Sequence, residues 1–544
     1  MNWTPEYSGE GLALWLPVHV LNINNYGGKT MKKILSFLLV VMMVLSFSTV
    51  MAEEEPVTIK AIAVLQMNTD DLDELPYYQQ IEEEANVHIA WEFYRTGWDE
   101  KKPLAFASGE LPDVFYGCFA LSRGDITQNI EYFLPLNDLI DEYCPNIKRM
   151  LEDNPSLAAT VTWPDGNMYA LPHVMAFRPS HFGAAVINKQ WLDNLGLDMP
   201  TTTDEFIDVM RAFKTEDPNG NGIADEIPML AFVYDNNYGF RTLMGSFGIT
   251  DSIDSDLAYD NDGNMVYVPA TESYKNWIKF MNTCYSEGLI YSDFLTMDWG
   301  TVLGMPGQEG DPVVGMTCGW NMGTINPSYK DQYVQLLPLI GPDGDQEWAS
   351  NYTMVACGAS GYNCASLTTF NEHPVETMKW LDCFYKEVYG LQNTYGPIGK
   401  TIIDNGDGTY TCIDSNDPDI SNDTWGWKWS MNDQGPYYVS KSFQENNVTP
   451  APYMMEKLDL DKGYEPFYNA SRAVPSVILN DSDNEEAAVI MTDVGRIVAE
   501  KRATWITEGG VDEEWDSYIQ SLKDVGLDRY IEITNDAVEA AKGN

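Results

Sequence analysis

The order of segments between Val57 and Tyr116 restricts the fold most. "VTIKAIAVLQ" (57–66) has β character, and "DLDELPYYQQIEEEANVHIAWEFY" reads as a helix running into a second strand. "KPLAFASGELPDVFYGC" then adds a helix, a Ser-Gly turn and a short strand from Val114 to Tyr116. Strands separated by helices cannot close as hairpins; they pair in parallel through crossovers. The chain therefore opens an α/β sheet, in which ligands lie near the strand ends.

The alternation continues. "FLPLNDLIDEYCPNIKRMLEDNP" carries helical spacing, and "TWPDGNMYALP" is a hairpin around an Asp-Gly turn. "GAAVINKQWLDNLGLDMPTTTDEFIDVMRAFKTEDPNGNG" starts a new α/β segment. Here Thr202 and Glu205 form a capping box, and Phe206, Met210 and Phe213 recur at helical spacing, so a helix leads straight into the loop that follows. "NDGNMVYV" (261–268) is a further hairpin, strand character returns at 353–369, and the part from "NEEAAVIMTDVGRIVAEKRATWI" onward is largely helical.

Near the start, Lys32 and Lys33 precede the apolar run "ILSFLLVVMMVLSFSTV", with small residues at Val50 and Ala52. That is the layout of a secretory signal cleaved after Ala52, with translation expected to start at Met31. Roughly 490 residues then remain, too many for one ordinary core and enough for two lobes. The 82 acidic against 32 basic residues give a formal charge of −50, which argues against nucleic-acid or anionic-membrane partners and favours cations. The eight cysteines show no CxxC pair and no zinc spacing, and most are expected to be buried thiols.

The loop "DPNGNGIADE" (217–226) sets side-chain oxygens at alternate positions. Asp217, Asn219 and Asn221 stand at places one, three and five, Gly222 at the sharp-turn place six, and Ile223 offers a carbonyl at seven; Asp225 and Glu226 complete the oxygens. Calcium takes six to eight oxygen ligands in such a wrap. An EF-hand would place a glutamate at twelve, where Pro228 stands, so only the first half has that form. A solvated Asp/Asn/Gly turn is the competing reading. "DNDGN" (260–264) and "DNGDG" (404–408) lack the later carboxylates and read as hairpin turns.

Several segments together resemble one family, the extracellular solute-binding proteins of carbohydrate ABC importers, in its large lipoprotein-like branch. They are "FASGELPDVF", "FLPLNDLIDEYCPNIK", "DGNMYALP", "INKQWLDNLGLDMPTTTDEFIDVMRAFKTEDPNGNGIADEIP", "YSEGLI" and "EEWDSYIQSLKDVGLDRYIEI". The resemblance implies an α/β, two-lobed periplasmic-binding-protein-like (Venus flytrap) fold with a helical C-terminal region. Residues 53–177 with 353–400 would form the N-lobe and residues 178–352 with 401–544 the C-lobe, after an extension and signal over 1–52. It also implies a monomeric, secreted receptor on the outer face of the membrane that passes an oligosaccharide to the permease subunits. The family's lipobox cysteine has no counterpart in "FSTVMAEEEP", which leaves a lipid anchor without support. Relatives binding acidic oligosaccharides hold a structural calcium in a loop D-x-N-x-N-x-x-x-D-E, which Asp217, Asn219, Asn221, Asp225 and Glu226 match, with Ile223 giving its backbone oxygen.

Sugar sites combine flat aromatic faces with a few fixed polar groups. The resemblance places Trp320, in "VGMTCGWNM", as a stacking residue in the cleft, and Tyr116 where the first lobe's sheet meets the cleft. Arg123 and Asp125 follow in a loop and could bind hydroxyls or be solvated surface. In "TWGWKW", Trp425, Trp427 and Trp429 would share one face of a strand, as a core patch or an aromatic platform. Phe177, Arg178 and His181 fall in the expected first crossing segment, where hinge and ligand roles are both open. The rival function is a secreted glycoside hydrolase working with two carboxylates, although no motif singles out a pair. No nucleophile elbow, HExxH or phosphate loop is present, and no enzymatic activity is expected.

Overall fold

In the computed structural model the described residues are 55–175, 183–235, 238–249, 251–252, 256–348, 350–351, 363–414, 428–432 and 434–542. The expected secretory signal lies outside them. Strand β1 (Val57–Val64), helix α1 (Pro76–Ala85), strand β2 (Val87–Tyr94), helix α2 (Trp98–Ser108) and strand β3 (Val114–Tyr116) follow in the anticipated order, and β1 pairs in parallel with both β2 and β3. Gly109 ends α2 in the left-handed conformation (φ 70°) that a glycine adopts without a side-chain clash. A short helix α3 (Arg123–Gln128) comes next.

The second sheet takes strands β4 (Ala184–Asn188), β5 (Ile227–Leu230), β6 (Val314–Gly319) and β7 (Tyr333–Gln335) in the order β7-β4-β6-β5, with β5 and β6 parallel. Helix α4 (Thr203–Thr215) carries the predicted capping box of Thr202 and Glu205 and buries Phe206, Met210 and Phe213. It lies tight on the sheet because β6 offers Gly315: a Cβ there would fall 2.5 Å from Phe213 Cδ2. Helices α5 (Glu272–Ser286) and α6 (Trp299–Gly307) connect β5 to β6. Strand β8 (Ala365–Leu367) then returns to the first sheet, antiparallel to β3, giving the order β8-β3-β1-β2. Helices α7 (Pro374–Cys383), α8 (Pro452–Tyr464), α9 (Asp481–Glu508), α10 (Val511–Asp524) and α11 (Leu527–Lys542) complete the principal elements.

Each sheet has its own core. One gathers Ile59, Ala61, Tyr78, Val114, Tyr116, Leu171 and Val174 with Ala365, Trp380 and Phe384; the other gathers Ala184, Ile187, Phe206, Met229, Trp277 and Met316 with Val494 and Trp505. Among the described residues membership of these two cores changes three times, between Val174 and Ala184, between Trp348 and Ala365, and between Ala451 and Leu460, and Ile478 touches the first lobe again in a smaller cluster with Phe115 and Phe133. The third passage departs from the expected boundary at 400/401. Ile402, Cys412, Trp429, Tyr437, Val439 and Ala451 pack into the first core, because the hairpin 402–412 and the segment 428–439 lie on that lobe. The C-terminal helices α9 to α11 contribute to the second core.

All seven described cysteines are buried and free. Burial pushes the thiols of Cys318 and Cys412 up to about 12, so neither is a thiolate nucleophile at neutral pH. Among the described residues no helix is long and apolar enough to cross a membrane.

Candidate functional site

In open parallel sheets the ligand end is where the strands finish. In the first lobe, Gly117 follows β3 with φ +91°, and a Cβ there would meet Met431 Cε at 3.1 Å and the Val64 carbonyl at 3.6 Å. Cys118 N–H donates to the Gln434 carbonyl at 2.8 Å, and Asp70 N–H to the Lys428 carbonyl at 2.8 Å. The segment 428–434 therefore lies across the carboxyl ends of β1 and β3. Gln434 is fully buried there, and among the described residues neither Oε1 nor Nε2 has a hydrogen-bond partner. A buried amide left unbonded is costly.

In the second lobe, Trp320 directly follows β6 and is half-buried. Lys457 Nζ, on α8 within the third passage, stands 4.7 Å from the centre of its ring and donates to the Gly183 carbonyl at 3.1 Å. Trp320 thus sits beside two of the inter-lobe passages. Beyond β5, Phe232 N–H donates to the Tyr238 carbonyl at 2.8 Å, and both rings meet Trp299 edge-on, at 4.8 Å and 5.1 Å between centroids. Trp299 is 52% exposed.

Three of the candidate ligand residues have structural roles instead. Tyr116 is fully buried in the first core, its hydroxyl bonded to Tyr78 Oη at 2.8 Å and its ring against Trp91 and Trp380. The sheet turns this side chain inward under α1 and α7. Arg123 and Asp125 stand on helix α3, not in a loop. Arg123 donates to Ser476 Oγ at 3.0 Å and the Thr160 carbonyl at 2.8 Å, bracing the segment that leads to α9. Asp125 closes a capping box with Ser122 and pairs with Lys102 at 2.7 Å. Phe177, Arg178, Trp425 and Trp427 lie outside the described residues, as does His181. Trp429, the described end of that tryptophan run, is in the first core with Lys400 Nζ 3.6 Å from its ring centre.

The loop 217–226 leaves helix α4 and curls on itself. The Asp217 carboxylate accepts from Gly222 N–H at 3.1 Å, Asn219 Oδ1 from Asn221 N–H at 3.0 Å, and Asn221 Oδ1 from Ile223 N–H at 2.7 Å. Asp225 accepts from the side-chain amides of Asn219 and Asn221 at 3.2 Å. Asp217 (φ 50°), Gly220 (φ 73°) and Gly222 (φ 77°) take the left-handed turns this wrap needs. Among the described residues Glu226 Oε1 is buried without a hydrogen-bond partner, and burial together with the negative charges of Asp225 and Asp217 raises the Glu226 pKa. Among the described residues no three acidic, histidine or cysteine side chains converge as a closed metal cluster. The donor chemistry nonetheless fits a hard cation: three carboxylates, two amide oxygens and the Ile223 carbonyl on one short loop, with an orphaned oxygen and mutual repulsion that a cation would relieve.

Two α/β lobes linked by chain passages, with aromatic side chains where the strands of the second sheet end, define a two-lobed ligand-binding protein. The chain is 31% identical over 478 residues, 86% of its own length and 87% of the other's, to the fructooligosaccharide ABC transporter substrate-binding protein FusA of Streptococcus pneumoniae. It belongs to the family of extracellular solute-binding proteins that serve carbohydrate ABC importers. The structure of FusA in complex with kestose superposes with a TM-score of 0.78 at 30% identity, covering 90% of this chain and 100% of that one. A FusA EF-hand mutant in complex with fructo-nystose gives 0.79 at 29% identity, with 90% and 100% covered. A solute-binding protein from Bifidobacterium longum infantis, described as binding HMO, gives 0.78 at 25% identity, with 89% and 99% covered. No protein-family model matches the chain. These relatives are binding proteins, not hydrolases, which removes the support for the glycosidase alternative.

Missed from sequence were Trp299, Gln434 and Lys457. Trp299 is the first residue of a short helix capped by Asp298, whose side chain accepts from Thr301 N–H, and the run "DWGT" was a readable capping signal. Gln434 and Lys457 carry no comparable pattern.

Proposed function

We propose that the protein is an extracellular receptor that captures an oligosaccharide and delivers it to the permease subunits of an ABC importer, acting as a monomer. Fructooligosaccharides are the first candidates. The observation that carries this reading is the 31% identity to FusA along 86% of the chain. Trp320 supplies an apolar face for a sugar ring, and the passages between lobes absorb hinge closure. Thermal-shift screening against an oligosaccharide panel, with chromatography of the incubated sugars, tests it. A bound sugar at 100 times its Kd stabilises by about 2.7 kcal/mol. The expected result is stabilisation by at least one sugar with no new products; hydrolysis products would overturn the reading.

The receptor is exported by the segment ending at Ala52, so the mature chain is expected to begin "EEEP". N-terminal sequencing of secreted protein checks this, and residues from 1–30 on the exported form would refute it.

We further propose that the loop 217–226 holds a structural calcium through Asp217, Asn219, Asn221, Asp225, Glu226 and the Ile223 carbonyl. Bound there, the ion would neutralise the clustered carboxylates and stiffen the connection from α4 to β5. The likeness to a protein with an EF-hand and the orphaned Glu226 oxygen support this.

A further inference from the structure

A cavity of about 410 Å³ opens beside Trp299, lined also by Phe232, Tyr234, Asp235, Leu295 and Arg502. Its position follows from the sheet. Residues 232–235 follow β5, Tyr291 N–H donates to the Met229 carbonyl at 3.0 Å to bring 294–299 alongside, and α9 supplies Arg502. Because β5 and β6 are parallel, this is the same sheet edge at which Trp320 stands. Tyr238 joins the two places: it meets the Trp299 ring edge-on, and a Cβ on Gly319, the residue before Trp320, would lie 3.6 Å from Tyr238 Cε1.

The chemistry of the lining is that of a sugar site. Trp299 offers a ring that is 52% exposed, held from the sides by Phe232 and Tyr238. Arg502 is fixed in place: its Nε donates to Tyr274 Oη at 2.8 Å, and its guanidinium lies 3.5 Å from the centre of the Tyr234 ring. Among the described residues no carboxylate lies within ion-pair distance of it, although the chain has a formal charge of −50. The neighbouring Arg241 shows the alternative, since it pairs with Asp256 at 2.9 Å. The Arg502 donors and the Asp235 carboxylate therefore edge one aromatic-walled cavity, a combination suited to the C–H face and hydroxyls of a saccharide. A purely apolar ligand would leave the guanidinium desolvated and unpaired; an anion would meet Asp235 as well as Arg502.

We propose that this cavity is an extension subsite, in which Trp299 stacks on, and Arg502 and Asp235 hydrogen-bond to, a further sugar unit of an oligosaccharide whose first part is held near Trp320. The proposal rests on the receptor function proposed above and adds chain-length selectivity to it.

Calorimetric titration of the full mature chain with two length series, sucrose–kestose–nystose and melibiose–raffinose–stachyose, tests it in the wild type, Trp299→Ala and Arg502→Lys. The expected result is an affinity that rises with length in one series for the wild type. Trp299→Ala should remove about a tenfold gain for the longer members and leave the shortest bound sugar unaffected. Arg502→Lys, which keeps the charge but loses the planar fork, should remove part of that gain. A gain with length that survives Trp299→Ala, an equal loss at every length, or no dependence on length in the wild type overturns the subsite and leaves the receptor function standing. Binding of no member by the wild type counts against both proposals, and an oligosaccharide panel with no binder at all overturns the receptor reading itself.

Discussion

Asp217→Ala and Asp225→Ala are each expected to lower stability when calcium is present and to leave it unchanged, or raise it slightly, after chelation. The sign follows from the loop itself. Without an ion, the charges of Asp217 and Asp225 face Glu226, whose pKa is raised by its burial and, to a lesser degree, by that repulsion. Removing one carboxylate from an empty loop therefore relieves strain, whereas removing it from a filled loop removes a ligand. Extracellular calcium modules operate at Kd on the order of 10⁻⁴ to 10⁻³ M. At about 10 mM calcium the ion would then stabilise the folded chain by about 1.4 to 2.7 kcal/mol, and a ligand deletion would forfeit most of that. Denaturant titrations of wild type and both variants, with calcium and with chelator, give the six numbers required. An equal loss in both conditions would mean that the aspartates act through their hydrogen bonds to Gly222 and to the Asn219 and Asn221 amides, with no ion involved.

The fold was readable where local pattern and global packing point the same way. The β1-α1-β2 order, the capping box at Thr202 and the buried spacing of Phe206, Met210 and Phe213 are all consequences of period and caps, which a sequence displays directly. The hairpin 257–267 likewise follows from its Asp-Gly turn, with Gly263 at φ 82°. What was not readable is which side of a fully covered strand faces a cavity. All three residues of β3 are buried, so no alternation marks Tyr116 as inward or ligand-facing, and only the placement of α1 and α7 decides it. The lobe boundary failed for a similar reason. The hairpin at 402–412 is locally self-sufficient, and its assignment to the first core rests on Ile402 and Cys412 joining a cluster whose members begin at Ile59. At Ser122 the signal was present: the spacing S-x-x-D is a capping box, and reading it would have put Arg123 and Asp125 on a helix.

Trp320→Ala is expected to weaken oligosaccharide binding by roughly thirty-fold or more while leaving the unliganded protein folded. An aromatic anchor truncated in a binding site costs about 2 kcal/mol or more, which is that factor in Kd. The competing position, a core tryptophan, predicts a different division of the cost: a buried Trp→Ala change lowers fold stability by about 3 to 5 kcal/mol. The geometry favours the first. Trp320 is half-buried at the end of β6, while Trp191, Trp277, Trp348, Trp380 and Trp505 are buried to below 2% exposure. Its contact with Lys457 means the substitution still has a cost in the unliganded state, about 0.5 to 2 kcal/mol for a cation–π pair. Trp320→Phe, which keeps a flat ring over Lys457, should recover part of both the affinity and that stability. Calorimetry with whichever sugar the panel identifies, set beside the melting temperature of each apo variant, separates the two positions. Unchanged affinity, or an apo loss on the scale of a core tryptophan, would return Trp320 to the packing of the second lobe and leave Trp299 as the aromatic face of the site.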